Sequence, residues 1–343
     1  MLLQSEIAQQ PTVMGRLIHE SMSATETVVK AIKAFDPAYV CIAARGTSDN
    51  AARYAQYLFG NILGLPVMLA APSLHTIYGT PPNLSKALVI GISQSGEAED
   101  VRTVMKDANE QGALTIAITN FENSPMAQTA QHHLPLLAEE ELSVAATKTY
   151  TAQLTVVAML ATLLADDDTM LNTLKSLPKF TNDTLKLTET IPDWADRYRY
   201  MDRFIVLGRG FNYATAFEIS LKVKELTYIS SEGFSEADFR HGPIAVVNSG
   251  FPVMVVAPQG KVFPQMADML AKLNTSKAET LVISNDADLL SQATKQLPIP
   301  AVPEWLSPII SVIPGQVFAM QQAIVRGFEV DKPRGLSKVT ITQ

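Results

Sequence analysis

The two halves of this chain repeat one another. RFIVLGRG (203–210) resembles YVCIAARG (39–46), and PVMVVAPQG (252–260) resembles ALVIGISQSG (87–96). TLVISND (280–286) resembles LTIAITN (114–120), and QLPIP (296–300) resembles HLPLL (133–137). The two Arg-Gly pairs stand 164 residues apart, and the Asn residues of the third pair 165. One such pair would mean only that two strands are of the same type. Four pairs in one order at nearly one spacing argue for an internal duplication.

Within a half, strands and helices alternate. AYVCIAA (38–44), PVMLAAP (66–72), LVIGIS (88–93) and LTIAITN (114–120) read as strands, while SDNAARYAQYLFGNIL (48–63) and residues 97–111 read as helices. The strands are continuous apolar runs rather than alternating ones, which suits a parallel sheet covered on both faces. Residues 12–34 carry helical periodicity up to Asp36-Pro37, 147–165 a long helix, and the polar segment 166–200 a link between the copies. Apolar residues make up 47% of the 343 and charged residues 18%, enough for a large core.

A net charge of −7 and a pI near 5.3 argue against nucleic acid as a partner. The apolar run LTVVAMLATLLA (154–165) is too short to span a bilayer, and MLLQSEIAQQP lacks the pattern of a signal peptide. The expected setting is therefore cytoplasmic, with no membrane contact. Cys41, the single cysteine, sits in an apolar run and reads as a buried structural thiol.

The copies are not chemically equal. The first has GTS (46–48) and SQSGE (93–97) where the second has GFN (210–212) and APQGK (257–261). A parallel strand delivers its C-terminal end to the crevice where ligands of open α/β sheets bind, and the following helix offers unpaired N–H groups there. Ser93, Gln94, Ser95, Thr47 and Ser48 add neutral donors, and Gly96 permits a tight turn. One such loop is ordinary helix capping; two at matching turns favour a phosphate. A nucleotide fits poorly: there is no GxxxxGK[ST], and GRGFNYA (208–214) has GxG without GxGxxG.

The ionisable stretch of the second half is FEISLKVKELTYISSEGFSEADFRHGP (217–243). On a helix, Glu218, Lys222 and Glu225 fall on one face at i, i+4 and i+7. Alone this is a surface pair worth tenths of a kcal/mol. Ile219, Leu221, Val223 and Leu226 embed the helix, and His241 follows before a Gly-Pro turn. A carboxylate with a histidine makes a sensible proton-transfer set. His132 and His133 ahead of Glu139, Glu140 and Glu141 lack metal-ligand spacing, so no metal is expected.

RGTSDNAARY, SQSGE, SVAATKTYTAQL (143–154), EISLKVKELTYIS, RHGP and DKPRGLSKVT (331–340) together resemble the isomerase half of glutamine–fructose-6-phosphate amidotransferase, built from two SIS (sugar isomerase) domains. The resemblance runs from about residue 20 to the end. It implies an α/β fold of two tandem doubly wound, flavodoxin-like parallel-sheet domains. The expected layout is an N-terminal helical segment (1–34), a first SIS domain binding phosphate (35–165), a linker helix (166–200), a second SIS domain with the catalytic carboxylate and histidine (201–330), and a tail closing the active site (331–343).

It further implies that Ser48 with Thr47, and Ser93, Gln94 and Ser95, hold the phosphate. Glu225 would move the proton between C1 and C2, with Glu218 and Lys222 in support. His241 would open the sugar ring from the neighbouring subunit of a homodimer with a shared active site. Lys338 would be the active-site lysine of the tail, and Val144 and Ser337 would line the sugar. Two departures stand out: Ala98 replaces the threonine of SQSGET, and Leu2 follows Met1 where the glutaminase nucleophile would begin a longer chain.

The expected reaction is glucosamine 6-phosphate plus water to fructose 6-phosphate plus ammonia, with neither metal nor organic cofactor. A phosphosugar aldose–ketose isomerase and a fructosamine 6-phosphate deglycase remain open. So does a sugar-phosphate sensor, which would have little need of Glu225.

Overall fold

The computed structural model describes residues 1–338. Two five-stranded parallel sheets organise the chain. The first contains β1 (Tyr39–Ala44), β2 (Val67–Leu69), β3 (Ala87–Ile92), β4 (Leu114–Thr119) and β5 (His132–Pro135), in the order β2-β1-β3-β4-β5. The second contains β6 (Arg203–Gly208), β7 (Ser230–Ser235), β8 (Pro252–Val256), β9 (Glu279–Ser284) and β10 (Lys295–Pro298), in the order β10-β9-β8-β6-β7. Counted within each half, both orders are 2-1-3-4-5, the flavodoxin-like arrangement. The four matched sequence pairs fall on β1 and β6, β3 and β8, β4 and β9, and β5 and β10, in accord with a tandem duplication.

The unmatched pair, β2 and β7, are edge strands. β7 has the sequence SSEGFS, and no apolar run announces it. Gly233 is required there: a Cβ would lie 2.8 Å from the Ala216 carbonyl, so glycine is what lets β7 approach the helix Tyr213–Thr227.

By compactness the chain forms two units. One comprises residues 10–141, 148–178 and, among the described residues, 337–338; it holds the first sheet. The other comprises 1–9, 142–147 and 179–336, and holds the second. In the first unit β3 and β4 are buried at every position; β3 is apolar throughout, and in β4 the buried hydroxyls of Thr115 and Thr119 are satisfied by Asn109 Oδ1 and the Phe121 carbonyl. Cys41 is fully buried, and burial pushes its thiol pKa up to about 12. Helix Lys148–Ala165 is enclosed nearly all round, and Lys148, Gln153 and its four threonines are buried along with its apolar residues.

Helix Ser307–Val325 plays the same part in the second unit. It has the length and hydropathy to cross a bilayer, yet 83% of that window is buried inside the protein, so it is a core helix. It crosses helix Tyr213–Thr227 closely, since a Cβ on Gly315 would lie 2.3 Å from Ile219 Cγ1. The N-terminal periodicity resolves into two helices, Gln10–Glu20 and Met22–Phe35, the second ended by Asp36 in the left-handed region before Pro37. Segment 166–200 is several short helices rather than one, the first capped by Asp167, which accepts from the Thr169 and Met170 N–H groups.

Candidate functional site

In the first sheet the strand order reverses between β1 and β3, so the loops leaving them flank a topological switch point. After β1, Gly46 takes φ +54° and the helix Thr47–Leu58 begins. Ser48 is buried, and its Oγ accepts from Gln153 Nε2 at 2.9 Å. After β3, Ser93 Oγ accepts the Gly96 N–H at 3.1 Å and Ser95 Oγ accepts the Glu97 N–H at 3.2 Å.

These serines therefore shape the loop and do not cap the helix Glu99–Glu110, whose N-cap is Ala98 with no side-chain cap bond. Having accepted one bond, each serine hydroxyl still has a proton to donate. Gly96 has φ +71°, and a Cβ there would stand 2.2 Å from Ser124 Oγ. Arg45 Nε, on the β1 loop, meets the fully buried Asp100 at 2.6 Å, tying the two loops together. Gln153 and Asp100 give no signal in the sequence; both act on partners far along the chain.

The corresponding loop of the second sheet is closed by its own carboxylate. Glu304 accepts the Lys261 N–H at 2.8 Å and the Val262 N–H at 3.3 Å, at the start of helix Phe263–Thr275. A Cβ on Gly260 would collide with that carboxyl. In the first copy the loop N–H groups of Gly96 and Glu97 are accepted by serine hydroxyls, which still carry protons to donate; in the second a carboxylate, which has none, does the accepting.

Helix Tyr213–Thr227 carries the ionisable cluster. Lys222 Nζ lies 3.4 Å from Glu218 Oε1 and 2.5 Å from Glu225 Oε2. Glu218 and Lys222 are buried, and Glu225 keeps 21% of its side chain exposed. The cluster is thus an internal ion triad with one accessible end, not a surface pair. His241 follows the short helix Glu236–Arg240; its N–H donates to the Asp238 carbonyl at 3.0 Å and its side chain is exposed. Its turn is anchored by the fully buried Glu236, which pairs with Arg209 at 2.5 Å and with Arg240. No contact among the described residues joins the His241 ring to the triad.

Lys338 Nζ donates to Glu141 at 2.7 Å, and the buried Glu141 also accepts from Thr149 Oγ1 at 2.6 Å and Thr149 N at 3.2 Å. Glu141 is a partner the sequence did not reveal. Val144 is half-buried and donates its N–H to the Asp331 carbonyl at 3.1 Å; Ser337 is exposed. The part of the expected tail at 339–343 lies outside the described residues. His132 and His133 lie on β5, and His133 Nε2 meets Thr119 Oγ1 at 2.9 Å. Among the described residues no group of three His, Cys, Asp or Glu is placed to hold a metal ion.

A family model described as SIS domain matches residues 37–163 and again 198–326. The glutamine–fructose-6-phosphate aminotransferase (isomerizing) of Aquifex aeolicus is 32% identical over 340 residues, covering 98% of this chain and 57% of that protein. The chain therefore spans little more than half the length of this relative. The solved C-terminal domain of glucosamine-fructose-6-phosphate aminotransferase from Francisella tularensis superposes with a TM-score of 0.89 at 25% identity, covering 97% of this chain and 98% of that one. Glucosamine-6-phosphate deaminase from Thermotoga maritima shares the fold over the whole of both chains, with a TM-score of 0.82 at 22% identity.

Proposed function

The chain belongs to the SIS domain family, and on that premise we propose that it is a phosphosugar deaminase/isomerase converting glucosamine 6-phosphate and water to fructose 6-phosphate and ammonia. One observation carries the reading: Glu225 is the accessible end of a buried triad, held by Lys222 at 2.5 Å. A carboxylate that carries a proton between adjacent carbons needs access to the sugar and a fixed orientation, and an ion pair with a buried ammonium supports the second.

In this reading Thr47, Ser48, Ser93, Gln94 and Ser95 hold the phosphate. Neutral donors and backbone N–H groups suffice for such an ion. His241, from the neighbouring subunit of a homodimer, assists ring opening to the C1 aldehyde. Glu225 then takes the C2 proton, leaving an enolamine, and returns it to C1. The resulting C2 imine adds water and expels ammonia, leaving the ketone of fructose 6-phosphate. The aldehyde, and then the imine, acidifies the neighbouring C–H. Lys338, Val144 and Ser337 complete the sugar's surroundings.

The test is ammonia release from glucosamine 6-phosphate, with fructose 6-phosphate followed in the same sample. Equal yields of both, abolished in Glu225→Gln, support the deaminase. Turnover of a non-amino hexose phosphate alone would identify an isomerase, and turnover of a fructosamine 6-phosphate alone a deglycase. Binding with no turnover of any of the three would identify a sensor.

A further inference from the structure

Three segments distant in sequence close a ring of hydrogen bonds. Helix Leu2–Ala8 carries Glu6, whose residue is only 4% exposed. Its carboxylate accepts the Leu142 N–H at 2.5 Å, the Ser143 N–H at 3.3 Å, and the Ser143 hydroxyl. The next residue, Val144, donates its N–H to the Asp331 carbonyl at 3.1 Å. The Asp331 side chain returns to the start of the same helix, accepting the Leu3 N–H at 2.9 Å and the Leu2 N–H at 3.0 Å.

Glu6 and Asp331 lie outside both segments matched by the family model. Residues 142–147 lie inside the first matched segment, yet pack in the compact unit that contains 1–9 and 331. A buried carboxylate is costly unless its acceptor sites are filled, and two backbone N–H groups of a loop need partners when water is excluded. Glu6 answers both needs at once, in a chain segment otherwise short of reasons for an inward-facing acid.

We propose that Glu6 is a positioning residue for the sugar site, holding the strap 142–147 so that Val144 is presented in one conformation, with Asp331 closing the ring from the tail. This rests on the reading of Val144 as a sugar-lining residue. Glu6 touches no reacting atom; it acts through the strap.

Hydrogen exchange and steady-state kinetics on the full chain test it together. In Glu6→Ala, the amides of Leu142–Val144 should exchange about tenfold faster or more, while the loop at 93–97 is unchanged. KM for glucosamine 6-phosphate should rise about tenfold with kcat altered far less, because loosening a contact loop weakens binding before it touches the proton transfer. Glu6→Gln keeps one acceptor oxygen and should recover part of both effects. Ser143→Ala removes one hydroxyl without stranding a charge, should shift exchange in the same direction, and decides the matter if Glu6→Ala does not fold.

Unchanged strap exchange in these variants overturns the tether, whether or not the protein turns over sugar. Faster exchange with unchanged KM overturns the positioning role. If the wild type has no activity on glucosamine 6-phosphate, the proposed reaction fails; KM is then replaced by the dissociation constant of that sugar phosphate, and an unchanged constant in Glu6→Ala overturns the positioning role.

Discussion

Lys222 Nζ lies 2.5 Å from Glu225 Oε2, and Lys222 itself is 1% exposed. Its second partner, Glu218, is fully buried at 3.4 Å. Two acids share this ammonium, and of the two only Glu225 keeps an exposed edge. Lys222→Met breaks the buried ion pair with Glu218, which should cost about 3–5 kcal/mol of stability by urea unfolding. Glu225→Gln preserves shape and removes the charge. It should fold with near wild-type stability, bind sugar phosphate, and lose roughly 10²–10⁴ in kcat. A Glu225→Gln variant with normal turnover would remove the carboxylate from the mechanism.

The β3 loop should report phosphate binding separately from chemistry. Ser93→Ala and Ser95→Ala each delete a hydroxyl that also accepts a loop N–H, from Gly96 and Glu97 respectively. Each should raise KM about tenfold and weaken competition by inorganic phosphate to a similar degree. Gly96→Ala should be worse than either, because φ is +71° and the new Cβ would lie 2.2 Å from Ser124 Oγ. Unchanged phosphate competition in all three variants would reassign the loop to a structural turn.

Most of the fold was legible because the central strands are buried on both faces and so are written as largely apolar runs. β7 escaped because an edge strand tolerates SSEGFS, and the pairing that defines it is with the backbone of β6. Helix Ser307–Val325 was hidden by Pro308 and Pro314, which look like breakers but sit at the first turn and inside a helix that packing sustains. The triad was legible in its i, i+4, i+7 spacing, and its apolar neighbours foretold its burial. Glu6 and Glu141 were not legible: each reads as a surface acid, and their partners lie 136 and 197 residues away. The role of His241 rests on resemblance alone, since its local structure is that of an exposed turn.

That role leads to a mixing experiment. If His241 serves the neighbouring subunit of a homodimer, Glu225→Gln and His241→Asn remove different halves of each site. Unfolded together and refolded as a mixture, the two inactive proteins should regain about a quarter of wild-type activity, because a hybrid dimer holds one site with both groups intact. No recovery, with hybrids detected by mass, would place both groups on one chain.

The second sheet offers a control for the first. Glu304 fills the donors at the start of helix Phe263–Thr275 through the Lys261 and Val262 N–H groups. Glu304→Ala should behave as the loss of a helix cap, costing about 0.5–2 kcal/mol in thermal or urea unfolding. KM for sugar phosphate should not change. A marked rise in KM would mean that this loop, and not only that of β3, takes part in binding.

His133 should shape the acid limb of stability. It lies on β5 with Nε2 2.9 Å from Thr119 Oγ1, and burial lowers its pKa below the ordinary 6.5, against smaller opposing effects of the Thr119 hydrogen bond and the Glu122 charge. Its folded-state pKa is thus lower than its unfolded one, so in acid the unfolded chain takes up the proton more readily. The stabilising difference is fully present above about pH 6.5 and is lost as pH falls through that value towards the folded pKa. His133→Gln keeps a polar group near Thr119 without the titration. The thermal midpoint of the wild type should therefore fall more than that of His133→Gln between about pH 7.5 and about pH 5.5. Parallel falls would mean that the acid sensitivity of this protein arises elsewhere.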